Sequence, residues 1–410
     1  MKLKNPDNLR IGIIGGGAAG FFAAVEIASI KTGCSVVILE KSDKLLSKVK
    51  ISGGGRCNVT NACFDINELV KNYPRGSKEL KSVFHRFSPA DTINWYESKG
   101  VKLKTERDNR VFPESNNSET IINCFLSQSK KYNIEIIKNY PVKEIEKTEK
   151  GFLLNPFSKF AIEFDKIIFA QGGNSNPDFY KLVVNLGHSI VPPVSSLFTF
   201  NIDHHPLKGL EGISVDDAEI KLKDSKISEK GAILITHQGF SGPAILKLSA
   251  FGARIMNERK YNFTININWL PHIKNINSEL QKLKSVNKNK KISAHSQFGL
   301  PFRLWQRFTE LAKINEDLKW TEASKEKLYS LSEILVNCVF GITGKNIFKE
   351  EFVTAGGINL KEIDFKTMES KICKGLYFAG EVLDIDGITG GFNFQSAWST
   401  AFIAARNISI

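Results

Sequence analysis

Ile11-Gly12-Ile13-Ile14-Gly15-Gly16-Gly17-Ala18-Ala19-Gly20 runs into an Ala-rich stretch that lasts to about Lys31, and Ser35-Val36-Val37-Ile38-Leu39-Glu40 follows. An apolar run, a glycine turn, an alanine-rich helix and a second apolar run spell one βαβ unit of a parallel sheet. Gly15-x-Gly17-x-x-Gly20 is the dinucleotide fingerprint in the context it requires, between a strand and a helix. Gly15 permits the tight turn, Gly17 lets backbone approach a pyrophosphate, and Gly20 lets helix and strand pack closely. Ala18 and Ala19 open the helix, where free N–H groups and the helix dipole favour an anion. Glu40, followed by Lys41, ends the second apolar run, where a carboxylate accepts from ribose hydroxyls.

Outward from this unit, the spacing predicts helices over 91–99 and 119–132, β-like runs over 134–137 and 152–155, and a strand Lys166-Ile167-Ile168-Phe169-Ala170. That strand ends at Gln171-Gly172-Gly173. Near Pro192-Pro193 the character changes. From Leu197 to Trp269 the chain reads as short alternating β runs, such as 218–222 and 261–265. From about 270 to 341 it reads as mostly polar helix, with Phe302, Trp305 and Phe308 at helical spacing as core residues. A strand-like end, Gly375 to Glu381, leads to a final Ala-rich helix opened by Gly390-Gly391. The fold class expected is α/β. A Rossmann-like dinucleotide-binding domain over 1–193 is interrupted by a β-barrel-like plus helical insertion over 194–345 and completed by 346–410.

The 410 residues are long for one core, and 42% hydrophobic with 24% charged residues excludes wholesale disorder. No apolar run approaches the roughly 20 residues of a membrane span. The first ten residues are polar and lack the apolar stretch of a secretory signal. Six cysteines without paired spacing suit thiols kept reduced in a cytoplasm. His188 and His204-His205 show no ligand spacing with acids, so no metal site is expected. Lys+Arg 56 against Asp+Glu 43 gives a net charge of +13, and 45 of those cations are lysines. Dispersed lysine reads as solubility. A polyanionic partner such as RNA is the alternative, because phosphates are met by clustered cations. The densest run, Lys282 to Lys291, includes Asn287 and Asn289 and reads as a solvated loop.

No second GxGxxG follows a strand, so one bound dinucleotide is supported. Phe378-Ala379-Gly380-Glu381 sets an acid at a strand end, and Gly390-Gly391 opens the last helix. This arrangement suits a flavin: the acid meets ribityl or phosphate-side hydroxyls, and the helix N-terminus stabilises negative charge on the reduced ring. An ordinary strand-turn-helix closing the domain is the plainer reading. In Lys50-Ile51-Ser52-Gly53-Gly54-Gly55-Arg56-Cys57-Asn58-Val59-Thr60-Asn61, three glycines bring backbone near something flat or anionic. Arg56, Asn58 and Asn61 supply polar contacts there, unless the segment is merely a flexible loop. His237, in the turn Thr236-His237-Gln238-Gly239-Phe240-Ser241-Gly242, is a candidate proton donor or a turn cap. Cys57 is a candidate acid or redox thiol, or a packing residue. Arg56 and Arg110 fix an anion or form plain salt bridges.

These residues carry a resemblance. The chain resembles the HI0933-like flavoprotein family, also called the BaiN/RdsA family of FAD-dependent oxidoreductases, over nearly its whole length. The likeness rests on the Gly15–Gly20 fingerprint, Ser52 to Asn58, Arg110-Val111-Phe112-Pro113, and Thr236-His237-x-Gly239-x-Ser241-Gly242-Pro243. Thr354-Ala355-Gly356-Gly357 and Gly380-Glu381 through Thr389-Gly390-Gly391-Phe392-Asn393 complete it. The resemblance implies FAD on a Rossmann-like domain, with Gly53 to Cys57 and Gly390 to Asn393 beside the flavin. The cofactor-binding set expected is Gly15, Gly17, Ala18, Ala19, Gly20, Glu40, Lys41, Gly54, Gly55, Arg56, Cys57, Asn58, Ala170, Gly172, Gly380, Glu381, Gly391, Phe392 and Asn393. After Gly173 the chain departs from the family pattern, since Asn174-Ser175-Asn176-Pro177 runs quickly into 178–186.

The activity expected is reduction of a C=C or C=O bond, with NAD(P)H recharging the flavin. The resemblance offers as substrates a uridine in ribosomal RNA, a steroid-like enone, or an amine oxidised with oxygen. The net charge tilts the reading toward RNA, whose uridine must be unstacked to meet a flavin. The reading from a different class is a non-catalytic nucleotide-binding factor associated with RNA.

Overall fold

The structure, a computed structural model, describes residues 9–31, 33–346 and 353–408. It contains two compact units, Met1–Ser195 with Lys349–Ile410, and Ser196–Phe348.

The first unit is built on five parallel strands, β1 (Leu9–Ile14), β2 (Cys34–Leu39), β3 (Glu135–Ile137), β4 (Lys166–Phe169) and β5 (Leu376–Phe378). Their order is β5-β4-β1-β2-β3, and the short strands Glu369–Ser370 and Ile363–Asp364 extend the sheet antiparallel beyond β5. Ile11, Ile13, Val37, Ile38, Ile167 and Ile168 are fully buried, as expected of a parallel sheet covered on both faces. One cover is the helix Ala18–Ile30 against the C-terminal helix Phe392–Ile408. Phe22 stacks on Trp95 at 4.4 Å between ring centroids and touches Trp398 at 5.5 Å. The buried Glu26 accepts from Trp95 Nε1 (3.0 Å) and Arg406 Nε (2.8 Å), so its charge is compensated.

The predicted helices occupy Pro89–Glu97 and Glu119–Lys131. The first starts on a capping box between Ser88 and Asp91. Residues 178–186 hold only a 3₁₀ turn, Pro177–Tyr180, and one helical turn, Lys181–Val184. Pro192 and Pro193 lie within a strand, Ile190–Ser196, that pairs with Val353–Ile358.

His188, between these pieces, is buried. Its Nδ1 lies 3.0 Å from Glu362 Oε2 and its Nε2 lies 2.9 Å from Ser370 Oγ. Burial holds this imidazole below its usual pKa, against the pull of Glu362. A histidine depressed in the folded state takes up its proton more readily when unfolded, so stability falls as pH drops through about 6.5. Replacing His188 with Gln should therefore flatten the melting temperature between pH 7.5 and 5.5. Thermal scans at both pH values check this, and an unaltered slope would remove His188 as the cause.

The second unit is a seven-stranded antiparallel sheet. Its order runs Cys338–Ile342, Phe263–Asn268, Ser214–Leu222, Ser228–Ile235, Gly239–Ser241, Thr199–Asn201, Gly344–Asn346. The two edge strands are consecutive in the chain and separated only by Thr343, whose N–H donates to Asn201 O (2.9 Å). The sheet thus curls round until one continuous segment serves both edges, which makes it a barrel. Ala218, Ile220, Leu222, Ile265, Ile267 and Phe340 alternate into its core. Helices Ile276–Val286, Phe302–Leu311 and Lys325–Val336 add to the same core through Leu280, Trp305, Phe308 and Leu331. Phe302 departs from the predicted stripe and is 46% exposed. Half of the lysine run is helical rather than loop: Lys282 and Lys284 lie in Ile276–Val286, and Lys284 Nζ donates to Ala323 O (2.7 Å).

Candidate functional site

The carboxyl ends of β1, β2, β4 and β5 converge on one edge of the first unit. The ladder continues past each strand. Gly15 N donates to Leu39 O, Ala170 N to Ile14 O, Glu40 N to Ile137 O and Ala379 N to Phe169 O, at 2.9–3.2 Å. The chain leaves β1 toward β2 on one side, while β4 lies on the other, so the β1/β4 crevice is the topological switch point where open α/β sheets bind ligands.

At that crevice two glycines are sterically compulsory. A Cβ on Gly15, whose φ is +118°, would lie 2.4 Å from Ala170 O, and one on Gly20 would lie 2.0 Å from Gly15 O. Gly17 differs, because a Cβ there meets nothing within 4 Å. The helix Ala18–Ile30 begins at Gly17 with no side-chain cap and no acid in its first turn. Its first N–H groups are therefore left for something outside the helix. The Glu40 carboxylate accepts from Gly16 N (2.9 Å) and from Ser42 N and Oγ, which fixes it beside the glycine turn. Lys41 lies over the Phe179 ring at 5.5 Å.

The C-terminal piece closes on the same turn. Ala19 packs so near Gly380 (φ +78°) that a Cβ at 380 would approach it to 2.8 Å, and Gly380 N donates to Thr400 Oγ1 (2.9 Å). Glu381 accepts from Thr354 N (3.0 Å) and from Lys48 Nζ (2.5 Å). Lys48 belongs to Ser47–Gly55, a helix broken at Ser52–Gly54 where Gly53, Gly54 and Gly55 all take left-handed φ. Cβ atoms added at Gly54, Gly55 or Gly172 would also meet nothing within 4 Å.

Several predicted residues have structural tasks instead. Arg56 donates to Glu106 Oε1 (2.7 Å) and lies 4.0 Å above the Phe112 ring, and Arg110 joins the same Glu106 and Asp108. These are the plain salt bridges. With its amide oriented to suit its neighbours, Asn58 donates to Thr60 O and accepts from Gly391 N (3.0 Å). Asn61 Nδ2 donates to Gly390 O (3.0 Å). Asn393 spends both ends of its amide on Gly387 N and O, while Phe392 is 5% exposed. Asn58, Phe392 and Asn393 thus shape the turn before the C-terminal helix rather than reach outward.

The two catalytic candidates fare differently. Cys57 has no exposed surface and a left-handed φ of 60°, and burial pushes its thiol up to about 12. Such a thiol supplies almost no thiolate at neutral pH, so the redox role is replaced by packing. Cys57→Ala should leave turnover unchanged and lower stability by about 1 kcal/mol. In a native thiol titration the partly exposed Cys34 and Cys63 should react before Cys57; early labelling of Cys57 would contradict this burial. His237 lies in the second unit, with its side chain 89% exposed and its Nδ1 3.8 Å from Glu211 Oε1.

Three features escaped the sequence reading. Gln395, fully buried, accepts from Thr60 Oγ1 (2.5 Å) and Thr92 Oγ1 (2.9 Å), tying the last helix to the N-terminal segments. Arg75 forms a bidentate pair with the buried Asp386. Thr354 Oγ1 is buried without a hydrogen-bond partner, and a Cβ on Gly173 would lie 2.9 Å from Thr354 Cβ and 3.0 Å from Glu381 Cδ. Only a Gln at one-turn spacing from Gly391 hinted at the first of these.

An uncapped helix start, open glycine faces and an orphaned buried hydroxyl beside Glu381 all fit a bound dinucleotide at the strand ends. Comparison with known proteins agrees with this architecture. Residues 9–407 match the HI0933-like protein Rossmann domain. The chain is 30% identical over 408 residues to a ribosomal RNA dihydrouridine synthase of Haemophilus influenzae, covering 97% of this chain and 98% of that one. It is 28% identical over 409 residues to a 3-dehydro-bile acid delta(4,6)-reductase of Clostridium scindens, with the same coverage. Among solved structures, the 3-ketosteroid delta1-dehydrogenase of Sterolibacterium denitrificans shares the fold at a TM-score of 0.52 and 11% identity, over 98% of this chain and 99% of that one. With its glycine turn, strand order and near full-length match in agreement, the chain belongs to the HI0933-like family of Rossmann-domain proteins.

Proposed function

We infer that the protein is an FAD-dependent oxidoreductase that reduces a C=C bond conjugated to a carbonyl. The substrate we propose is a uridine of ribosomal RNA, with NAD(P)H supplying the electrons. The observation that carries the reading is the bare start of the first helix at Gly17, set at the switch point with open space above it. There the main chain of Gly15, Gly17, Ala18, Ala19 and Gly20 would hold the diphosphate, and Glu40 the adenosine ribose. Glu381 and Thr354 supply an acceptor and a hydroxyl for the rest of the chain of hydroxyls, while Gly54, Gly55 and Gly172 leave room for a flat ring. The bound flavin supplies hydride transfer.

Both named relatives are reductases or synthases whose products carry added hydrogen, which supports reduction as the shared chemistry. A net charge of +13 favours the polyanionic substrate of the two. His237 is the proton donor we propose, on the chemistry of an exposed imidazole alone. His237→Gln is expected to slow turnover at unchanged flavin content, and equal turnover would remove it from the reaction.

The experiment is direct. The purified protein should be yellow, bleach anaerobically with NADH or NADPH, and recover colour with substrate. Ribosomal RNA from a deletion strain should lack dihydrouridine at a position present in the parent strain. Unchanged dihydrouridine with an intact flavin cycle would leave a small enone as substrate. A colourless protein that refuses FAD would leave a binding protein.

A further inference from the structure

The second unit carries a concavity of about 630 Å³ that lies around the turn between the strands Ser214–Leu222 and Ser228–Ile235. Its lining brings Lys221, Lys223 and Lys226 together with one acid, Asp224, and with Ser225, Asn266 and Asn337. All three lysines are exposed, and none is in an ion pair among the described residues. Three lysines of the unit do have acidic partners: Lys230 faces Glu219 at 3.9 Å, Lys282 pairs with Glu279 and Lys291 with Asp317.

The turn is held in shape by its own backbone. Leu222 N donates to Ile227 O (3.0 Å), and Lys223 N donates across to Thr264 O (3.0 Å). Arg259 Nη1 braces Lys223 O at 3.1 Å, bringing a further cation to the patch. Lys221 is the cross-strand partner of Asn266, whose Nδ2 donates to Asn337 Oδ1 (2.6 Å). Lys221 and Lys223 share one face two residues apart, about 7 Å along an extended chain. That separation is comparable to the distance between successive phosphates of a nucleic-acid strand. An enclosed nucleotide pocket would be lined mostly by hydrophobic and aromatic side chains, and none of the residues lining this hollow is of that type. A shallow cationic hollow with amides among its lining suits a passing phosphodiester backbone.

We infer that this hollow is a docking site for RNA phosphates, which seats the RNA on the barrel unit. The inference rests on the RNA reading of the function and adds the surface that makes the contact.

The test uses the full-length holoprotein and two probes, deproteinised ribosomal RNA from the deletion strain and a fluorescently labelled single-stranded oligouridylate. The variant carries Lys221→Glu, Lys223→Glu and Lys226→Glu. A charge-matched control carries Lys130→Glu, Lys138→Glu and Lys150→Glu, three exposed lysines of the first unit. The patch variant should bind both RNAs about tenfold or more weakly at physiological salt. Its slope of log affinity against log salt should fall by about 2, as three lost contacts to a single strand require. Flavin content and melting temperature should match the parent, and the control should lose much less affinity. If the parent binds RNA and the patch variant binds it with equal affinity and slope, the docking site is overturned while the RNA reading stands. If control and patch variants weaken equally, net charge alone is acting and the site is likewise overturned. If the parent binds neither RNA, both fall together.

Discussion

Gly20→Ala is expected to lower the melting temperature by roughly 6–12 °C and to abolish co-purifying flavin, whereas Gly17→Ala should leave the melting temperature of the cofactor-free protein unchanged. The two glycines belong to one turn and differ in what a methyl group would strike. At Gly20 the new carbon lands 2.0 Å from Gly15 O, a backbone atom already fixed by the turn. Nothing flexible is available to move, so helix and turn must separate at a cost of about 3 kcal/mol, the upper part of the overpacking range. For a unit of this size each kcal/mol moves the midpoint by about 2–4 °C. At Gly17 the backbone is extended (φ −95°) and the methyl group enters open space, so the empty fold has no reason to respond. The same space is where a diphosphate would meet the helix N–H groups. Losing one charge-assisted contact there costs about 1.5–3 kcal/mol, a roughly tenfold to hundredfold weaker affinity for added FAD. Flavin titration of the apoprotein beside a thermal scan separates the effects. A Gly17→Ala protein that binds FAD as the parent does would remove the diphosphate from this turn.

That contrast also marks how far the sequence was legible. Gly15, Gly17 and Gly20 could be read because their roles depend on local geometry alone, a turn and a helix start within ten residues. The barrel was legible only as alternation. Its closure depends on Thr343 joining two strands at opposite ends of the sheet order, a pairing between residues 201 and 343 that no local pattern encodes. Phe302 shows the limit of periodicity: it sits at core spacing with Trp305 and Phe308, yet at the first position of its helix it points outward. Arg56, Asn58 and Asn393 show the same limit at the site. Polar residue types between glycines signal a demanding location, but whether an amide meets a ligand or Gly387 depends on which loop lies opposite. Buried charges were least legible, because Glu26 and Asp386 look like surface acids until Arg406 and Arg75 arrive from hundreds of residues away.

Arg75→Met should be the most damaging single change outside the glycine turn, lowering the melting temperature by about 6–20 °C and taking FAD binding with it. Asp386 has no exposed side-chain surface, and Arg75 is its bidentate partner at 10% exposure. Removing the guanidinium takes the bidentate partner from a fully buried carboxylate, a loss that typically costs about 3–5 kcal/mol. The consequence spreads because the surrounding segments are interlocked. Gly76 lies so close to Ile385 that a Cβ would approach it to 2.5 Å, Ile388 N donates to Asn72 O, and Tyr73 Oη donates to Phe392 O. Residues 72–76 therefore cradle the loop that delivers Gly390 and Gly391 to the start of the last helix. A buried pair is often replaceable by apolar residues of similar volume, so Arg75→Met combined with Asp386→Leu should recover most of the stability. If the loop's placement is what FAD binding needs, the double variant recovers affinity as well. A double variant that melts like the parent yet stays colourless would show instead that the charge pair itself serves the cofactor, and a single variant as stable as the parent would show that the pair does not anchor the loop.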